Sequence, residues 1–255
     1  MPEARVVTFS NEKGGVGKTA CAVHTAAGLA AQGRKVLLID SDPQGHATTL
    51  VGHPKAGHLY DLLARSAPFR QVMKPVAPEF YGSHEPKSRL MLIAGNVETY
   101  HIGNVQGNMY VLAERLQEVR QLFDTIIIDT SPTPSLLHAV IYLATDYIVY
   151  PTVPEYLSLD GLVESMTHLD SFRTLREVQI AGIQPTMVRE QTWEHRDLME
   201  RLGEKYEGLI WESITRSIIW PEAARARLPV FVYNPTHQAS EQVWTMVRHI
   251  EELSA

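Results

Sequence analysis

Lys13-Gly14-Gly15-Val16-Gly17-Lys18-Thr19 decides how this chain is read. Before it stands the apolar run Val6-Val7-Thr8-Phe9, which reads as a strand. After it, Thr19 to Ala31 is rich in alanine and reads as a helix. A glycine-rich turn between a strand and a helix is suited to hold phosphate. Its glycines let backbone N–H groups turn inward, and the helix start adds partial positive charge. Gly14, Gly15, Val16, Gly17 and Ala20 are therefore expected to line a triphosphate. Lys18 is placed to reach the β- and γ-phosphates, and the Thr19 hydroxyl to bind Mg2+. The strict pattern G-x-x-x-x-G-K-[ST] asks for glycine where this chain has Glu12, so the general motif is not fully met.

Working outward, short apolar runs alternate with helical patterns. Val36-Leu37-Leu38-Ile39, Leu90-Met91-Leu92-Ile93, Thr125-Ile126-Ile127-Ile128, Tyr147-Ile148-Val149-Tyr150 and Val178 to Ile183 read as further strands. Helices are expected over Tyr110 to Leu122, Leu159 to Leu175 and Ser240 to Leu253, and a surface loop over Pro75 to Arg89, which holds Pro78, Gly82 and Pro86. The fold class is α/β: a mainly parallel twisted sheet with helices on both faces, in one domain over residues 1–255. In such sheets ligands bind beyond the carboxyl ends of the strands. The polar segments Asn11 to Thr19, Asp40 to His46 and Asp129 to Pro134 all fall there.

Composition limits the alternatives. No apolar run approaches the roughly 20 residues needed to cross a bilayer, and the N-terminus carries no signal-peptide pattern, so a cytoplasmic location is expected. The single cysteine, Cys21, leaves no internal disulfide; it reads as a small buried residue of the phosphate-loop helix. A net charge of −6 argues against a broadly basic surface but leaves room for a local one. Eleven histidines, among them His46, His53, His58 and His84, fall into no metal-ligand spacing and read as loop residues.

Asp129 closes the hydrophobic run Ile126-Ile127-Ile128, as a Walker B aspartate does when it holds Mg2+ through Thr19 or water. Asp124, ahead of that run, reads as a turn residue. Asp40 and Asp42, in Asp40-Ser41-Asp42-Pro43-Gln44-Gly45, follow the second strand; a strand-to-turn cap is the alternative to a chemical role for them.

Lys13-Gly14-Gly15-Val16-Gly17-Lys18-Thr19 resembles the deviant Walker A motif of the ParA/MinD/nitrogenase-iron-protein superfamily, a pattern in which Glu12 is no obstacle. The resemblance implies that Lys13 is the signature lysine, reaching across a dimer interface to the other subunit's phosphates. Asp40 to Gly45 resembles the D-x-D-P-Q-G-x segment of ParA-type proteins. That likeness puts Asp42 where it orients the attacking water and Asp40 near the Mg2+ shell. Tyr147-Ile148-Val149-Tyr150-Pro151 and Glu155 to Leu162 are similar to a further ParA segment, as is Pro221 to Tyr233, so the likeness spans nearly the whole chain. At the second switch the family usually has D-x-P-P, and this chain departs with Ser131. Near the adenine, Asn-Met and Ile-Pro-Arg are replaced by Thr186-Met187 and Ile214-Thr215-Arg216, which makes Met187 and Thr215 the base-site candidates.

The resemblance implies an ATPase with slow intrinsic turnover that uses Mg2+, dimerises with ATP, binds DNA non-specifically and associates with the nucleoid. A ParB-like or adaptor protein would stimulate hydrolysis, and the cargo would be a plasmid, a chromosome origin or a protein assembly. The family's DNA-facing arginine falls near Gln191, so Arg189, Arg196, Arg216, Arg225 and Arg227 are the candidate phosphate contacts. Two other members of the superfamily are alternatives. A MinD-like membrane positioner needs a basic amphipathic C-terminal helix, whereas Val247 to Ala255 is acidic and short. A small-molecule ligase or kinase is the other. An iron-sulfur reductase or soft-metal pump lacks its thiols.

Overall fold

The computed structural model describes residues 3–83, 88–104, 107–172 and 174–253. His84, Pro86, Ser254 and Ala255 lie outside them, as do the side chains of Leu157, Ser158 and Leu159. In chain order the elements are β1 (Arg5–Phe9), α1 (Lys18–Ala31), β2 (Lys35–Asp40), α2 (His46–Leu50), α3 (His58–Ala64), α4 (Phe69–Val72), β3 (Met73–Pro75), α5 (Pro78–Tyr81) and β4 (Arg89–Ile93). There follow α6 (Val111–Gln117), β5 (Thr125–Asp129), α7 (Leu136–Ala144), β6 (Tyr147–Thr152), α8 (Tyr156–Phe172), β7 (Gln179–Pro185), α9 (Trp193–Lys205), α10 (Ile219–Ala226), α11 (Val230–Tyr233) and α12 (Gln238–Glu252). Single 3-10 segments cover Val97–Asn104 and Arg120–Leu122.

The strands form one sheet in the order β3-β4-β2-β5-β1-β6-β7. All pairings are parallel except β3 against β4. Helices on both faces bury the central strands twice over, which is why Leu37 to Ile39 and Ile126 to Ile128 are unbroken aliphatic runs at 0% exposure. One core joins the sheet to α1, α10, α11 and α12; a second joins the other face to α3, α6 and α7. A third packs β6 and β7 against α7, α8 and α9. Because α1 is covered on nearly every side, its alanines show no amphipathic stripe. At Gly28 a methyl group would sit 2.6 Å from the Val247 side chain, so this glycine lets α12 approach α1 closely.

Of the surface loop expected over Pro75 to Arg89, residues 84–87 lie outside the described residues, and the part before them is only partly loop. Pro75 ends the antiparallel edge strand, and Pro78 starts a helical turn that buries Phe80 and Tyr81 in the first core. The prolines suit these places, since a strand edge and a helix N-terminus both tolerate a missing N–H. Nor are His46 and His58 loop residues: they open α2 and α3. The helix expected over Tyr110 to Leu122 divides at Glu118 into α6 and a 3-10 turn.

Both margins of the sheet are closed. β3 has only three residues, with Lys74 and Pro75 among them. Along the outside of β7, Ile183 donates to Leu209 O at 2.7 Å and accepts from Trp211 N at 3.0 Å, while Pro185 O accepts from Ile214 N at 2.8 Å.

His24 ties α1 to the start of α11. Its Nδ1 is 2.7 Å from Ala20 O, and its Nε2 accepts from Val230 N at 3.1 Å. The two contacts fix one neutral tautomer, with the proton on Nδ1. Burial lowers its pKa to about 4, opposed by the Ala20 bond. The unfolded chain therefore takes up this proton first as pH falls, and stability is lost between about pH 6.5 and pH 4. The loss should approach roughly 3 kcal/mol. Urea unfolding at pH 7 and pH 4.5 should show it, and a His24→Asn variant should show a clearly shallower pH slope. Equal slopes in the two proteins would refute the assignment.

Candidate nucleotide site

The loop from Ser10 to Gly17 leaves β1 at the centre of the sheet, where β5 and β6 flank it. Gly15 and Gly17 have φ of 78° and 88°, the left-handed region that side chains disfavour. Non-local bonds fix the loop. Asn11, 1% exposed, donates to Pro151 O at 2.9 Å and accepts from Lys13 N at 2.8 Å. Glu12 N donates to Ser165 Oγ at 2.8 Å, and the Glu12 carboxylate contacts His168; both partners are on α8. Thr186 Oγ1 donates to Val16 O at 2.8 Å.

Lys18 is buried and donates from Nζ to Lys13 O at 2.8 Å. Desolvation lowers its pKa to about 8, while Asp129 and Asp42 pull it upward. The Lys13 side chain forms no hydrogen bond or ion pair among the described residues. Its backbone packs on α8, where a methyl on Gly161 would lie 3.1 Å from Lys13 Cβ.

Pairing of β2 with β5 sets Asp40 opposite Asp129, both at 0% exposure. Asp40 is engaged: Oδ2 accepts from Thr48 N at 2.7 Å and Thr48 Oγ1 at 2.6 Å, and Oδ1 from Asp42 N at 3.2 Å. Burial raises its pKa to about 6 against these bonds. Asp129 is the opposite case. Burial first, then the Asp40 charge, pushes its pKa well above the usual carboxylate range. The nearby Thr19 side chain draws it down, yet no hydrogen bond of ordinary geometry closes on either Asp129 oxygen. A buried carboxylate with two unengaged oxygens beside a threonine hydroxyl fits a hard divalent cation such as Mg2+. Asp40, opposite it on β2, accepts the bonds from Thr48 and Asp42 N that shape the segment after the strand.

Asp42 Oδ1 accepts from Gln44 N at 2.8 Å, a turn that aims the carboxylate into a cavity of about 480 Å³. Lys18, Thr19, Gln44, His46 and Tyr100 share that cavity. Gly17, Ala20 and Met187 also border a second, mainly apolar cavity of about 430 Å³ that includes Cys21, Thr215 and Trp220. The two compartments suit the phosphates and the base of one nucleotide. Met187 and Thr215, distant in sequence, are joined by the Val188–Thr215 bridge and the bond from Arg216 N to Val188 O at 3.0 Å. Gln242 of α12 fastens Thr215, accepting from its N–H at 3.2 Å. Cys21 is buried with its thiol pushed up to about 12, an unreactive state.

In the second switch, His138 Nε2 lies 3.0 Å from Ser131 O, and Pro132 lies 3.9 Å from the position of a Cβ on Gly14. Arg189, Arg196, Arg216, Arg225 and Arg227 are exposed and form no ion pairs among the described residues. The Val188–Thr215 bridge sets Arg189 and Arg216 side by side, while Arg225 and Arg227 stand at the end of α10.

Several residues of the site escaped the sequence reading. Ser165 acts on the loop from far along the chain, and so does Thr186, which the sequence placed only near the base; spacing reveals neither contact. Tyr100, on a 3-10 segment, and Gln242 carried no local signal. Asn11 is adjacent to the motif and could have been flagged by its place there.

A phosphate loop on a central strand, an unengaged acid on the neighbouring strand and an adjoining base cavity define a P-loop nucleoside triphosphatase. The chain belongs to the family described as an AAA domain, which matches residues 4–181, and within the P-loop proteins it is of the ParA/Soj type. It is 28% identical over 257 residues to the sporulation initiation inhibitor protein Soj of Bacillus subtilis, covering 96% of this chain and 98% of Soj. Among solved structures, the ATP complex of Cyanothece McdA superposes with a TM-score of 0.83 at 20% identity, over 98% of each chain. Cobyrinic acid a,c-diamide synthase of Mycobacterium smegmatis, with ADP and magnesium bound, gives 0.72 at 25% identity, over 90% of this chain and 93% of that one. No helix among the described residues is long and apolar enough to cross a membrane.

Proposed function

We propose that this protein is an ATP-dependent dimerising switch that binds DNA non-specifically and positions a cargo. The observation that carries this reading is Lys13. Its backbone is held by Asn11 and α8, while its side chain has no partner among the described residues. Lys18 already supplies the cation within the chain's own phosphate cavity, so Lys13 is free to serve the triphosphate of a second copy. Asp42 orients the attacking water, and Asp129 and Thr19 hold Mg2+, which when bound offsets phosphate charge. The exposed arginines around Arg189 and Arg216 offer a basic face despite the net charge of −6.

With a non-hydrolysable ATP analogue and Mg2+, the parent should run as a dimer in size-exclusion chromatography with light scattering. Lys13→Ala should bind the analogue yet stay monomeric. Each dimer loses two charge-assisted contacts of roughly 1.5–3 kcal/mol, so association should weaken by about 100-fold or more. The variant should also lose salt-sensitive, ATP-dependent retention on DNA. A parent that remains monomeric under these conditions removes the switch reading. A second reading, a small-molecule ligase, draws on the likeness to the Mycobacterium smegmatis synthase; product formed from a candidate acid and ATP would favour it.

A further inference from the structure

His46 has no part in the roles assigned above, yet it borders the phosphate cavity. It follows Gly45, whose left-handed backbone (φ 59°) turns the chain sharply into α2. The turn brings the imidazole to Asp42, with Nδ1 4.0 Å from Oδ2. The two Asp42 oxygens are not equivalent. Oδ1 accepts from Gln44 N, whereas no hydrogen bond reaches Oδ2 among the described residues. Lys18 Nζ donates to Lys13 O, and the neighbouring Asp40 and Asp129 are acids. His46 thus stands near Asp42 Oδ2 and, among the described residues, can donate to it without leaving another hydrogen-bond partner.

We propose that His46 is a positioning residue for hydrolysis: Nδ1–H closes by about 1 Å onto Asp42 Oδ2 when a triphosphate fills the cavity. With Oδ1 held by Gln44 and Oδ2 by His46, the carboxylate has a single orientation. Each oxygen retains a lone pair for the attacking water. At 63% exposure the imidazole has room for this movement. The inference rests on the reading of Asp42 as the residue that orients water.

The test compares the parent, His46→Ala and His46→Asn in single-turnover ATP hydrolysis, alongside affinity for a non-hydrolysable analogue. Asparagine places an amide nitrogen as far from its backbone as Nδ1 of histidine. His46→Ala should lower the single-turnover rate about tenfold, with analogue affinity within about twofold of the parent. His46→Asn should recover much of the rate. The proposal is overturned if the alanine variant hydrolyses at the parental rate, if asparagine performs no better than alanine, or if affinity falls in step with rate. Asp42→Ala separates the two levels. If it hydrolyses normally, the role of Asp42 itself fails; if it is slow while His46→Ala is normal, only His46 is excluded.

Discussion

Lys18→Met is expected to abolish nucleotide binding while leaving the nucleotide-free protein at least as stable as the parent. Lys18 is a buried ammonium whose charged form is disfavoured by desolvation, with a pKa near 8. Against an unfolded lysine, that shift represents about 3 kcal/mol of destabilisation at neutral pH. The sign follows from proton binding: between pH 8 and pH 10.5 the unfolded chain holds more protons, so stability rises across that window and the penalty is full below it. The bond to Lys13 O offsets part of the cost. Methionine fills a similar volume without charge. Loss of a charge-assisted contact to phosphate should weaken ATP by roughly 100-fold or more. Differential scanning fluorimetry reads both effects. The variant should melt no lower than the parent without ligand, and ATP with Mg2+ should leave its Tm unchanged. A normal ligand-induced shift would contradict the role given to Lys18.

Asp42→Ala should separate binding from turnover. The carboxylate faces the phosphate cavity, so its removal relieves repulsion toward the γ-phosphate and should maintain or tighten ATP binding. On the role proposed for Asp42, the group that orients water is lost, and hydrolysis should fall by about 100-fold or more. The ATP-bound dimer should therefore accumulate. Since Asp42 Oδ1 also accepts from Gln44 N, Asp42→Asn provides the control that keeps this turn. Both variants should be slow in phosphate release and dimeric with ATP itself. Parental turnover in either would remove Asp42 from the chemistry.

The parts legible in the sequence share one property: their signal is contiguous. Lys13 to Thr19 lies within one loop, and the runs at Val36 to Ile39 and Ile126 to Ile128 declare doubly covered parallel strands. Pro75 and Pro78 were misleading, because both residues punctuate loops and also suit an edge strand and a helix start; the buried Phe80 and Tyr81 were the overlooked hint. Asp40 shows the limit for the site. Its place near the metal was implied by the family resemblance; in the fold it stands opposite Asp129, with Oδ2 held by Thr48 and Oδ1 by Asp42 N, whereas both Asp129 oxygens are unengaged. Which of two neighbouring acids stays free depends on a threonine eight residues away, a relation only the folded backbone creates.

The closed margins of the sheet also bear on how many copies can gather. A three-residue strand ending in proline, and a far strand already bonded to Leu209, Trp211 and Ile214, give another polypeptide little ladder to extend. Fibrillar growth by strand templating is thereby disfavoured even where the protein crowds on a surface. Clustering must then use side-chain faces, whose contacts can be dissolved again without unfolding the chain.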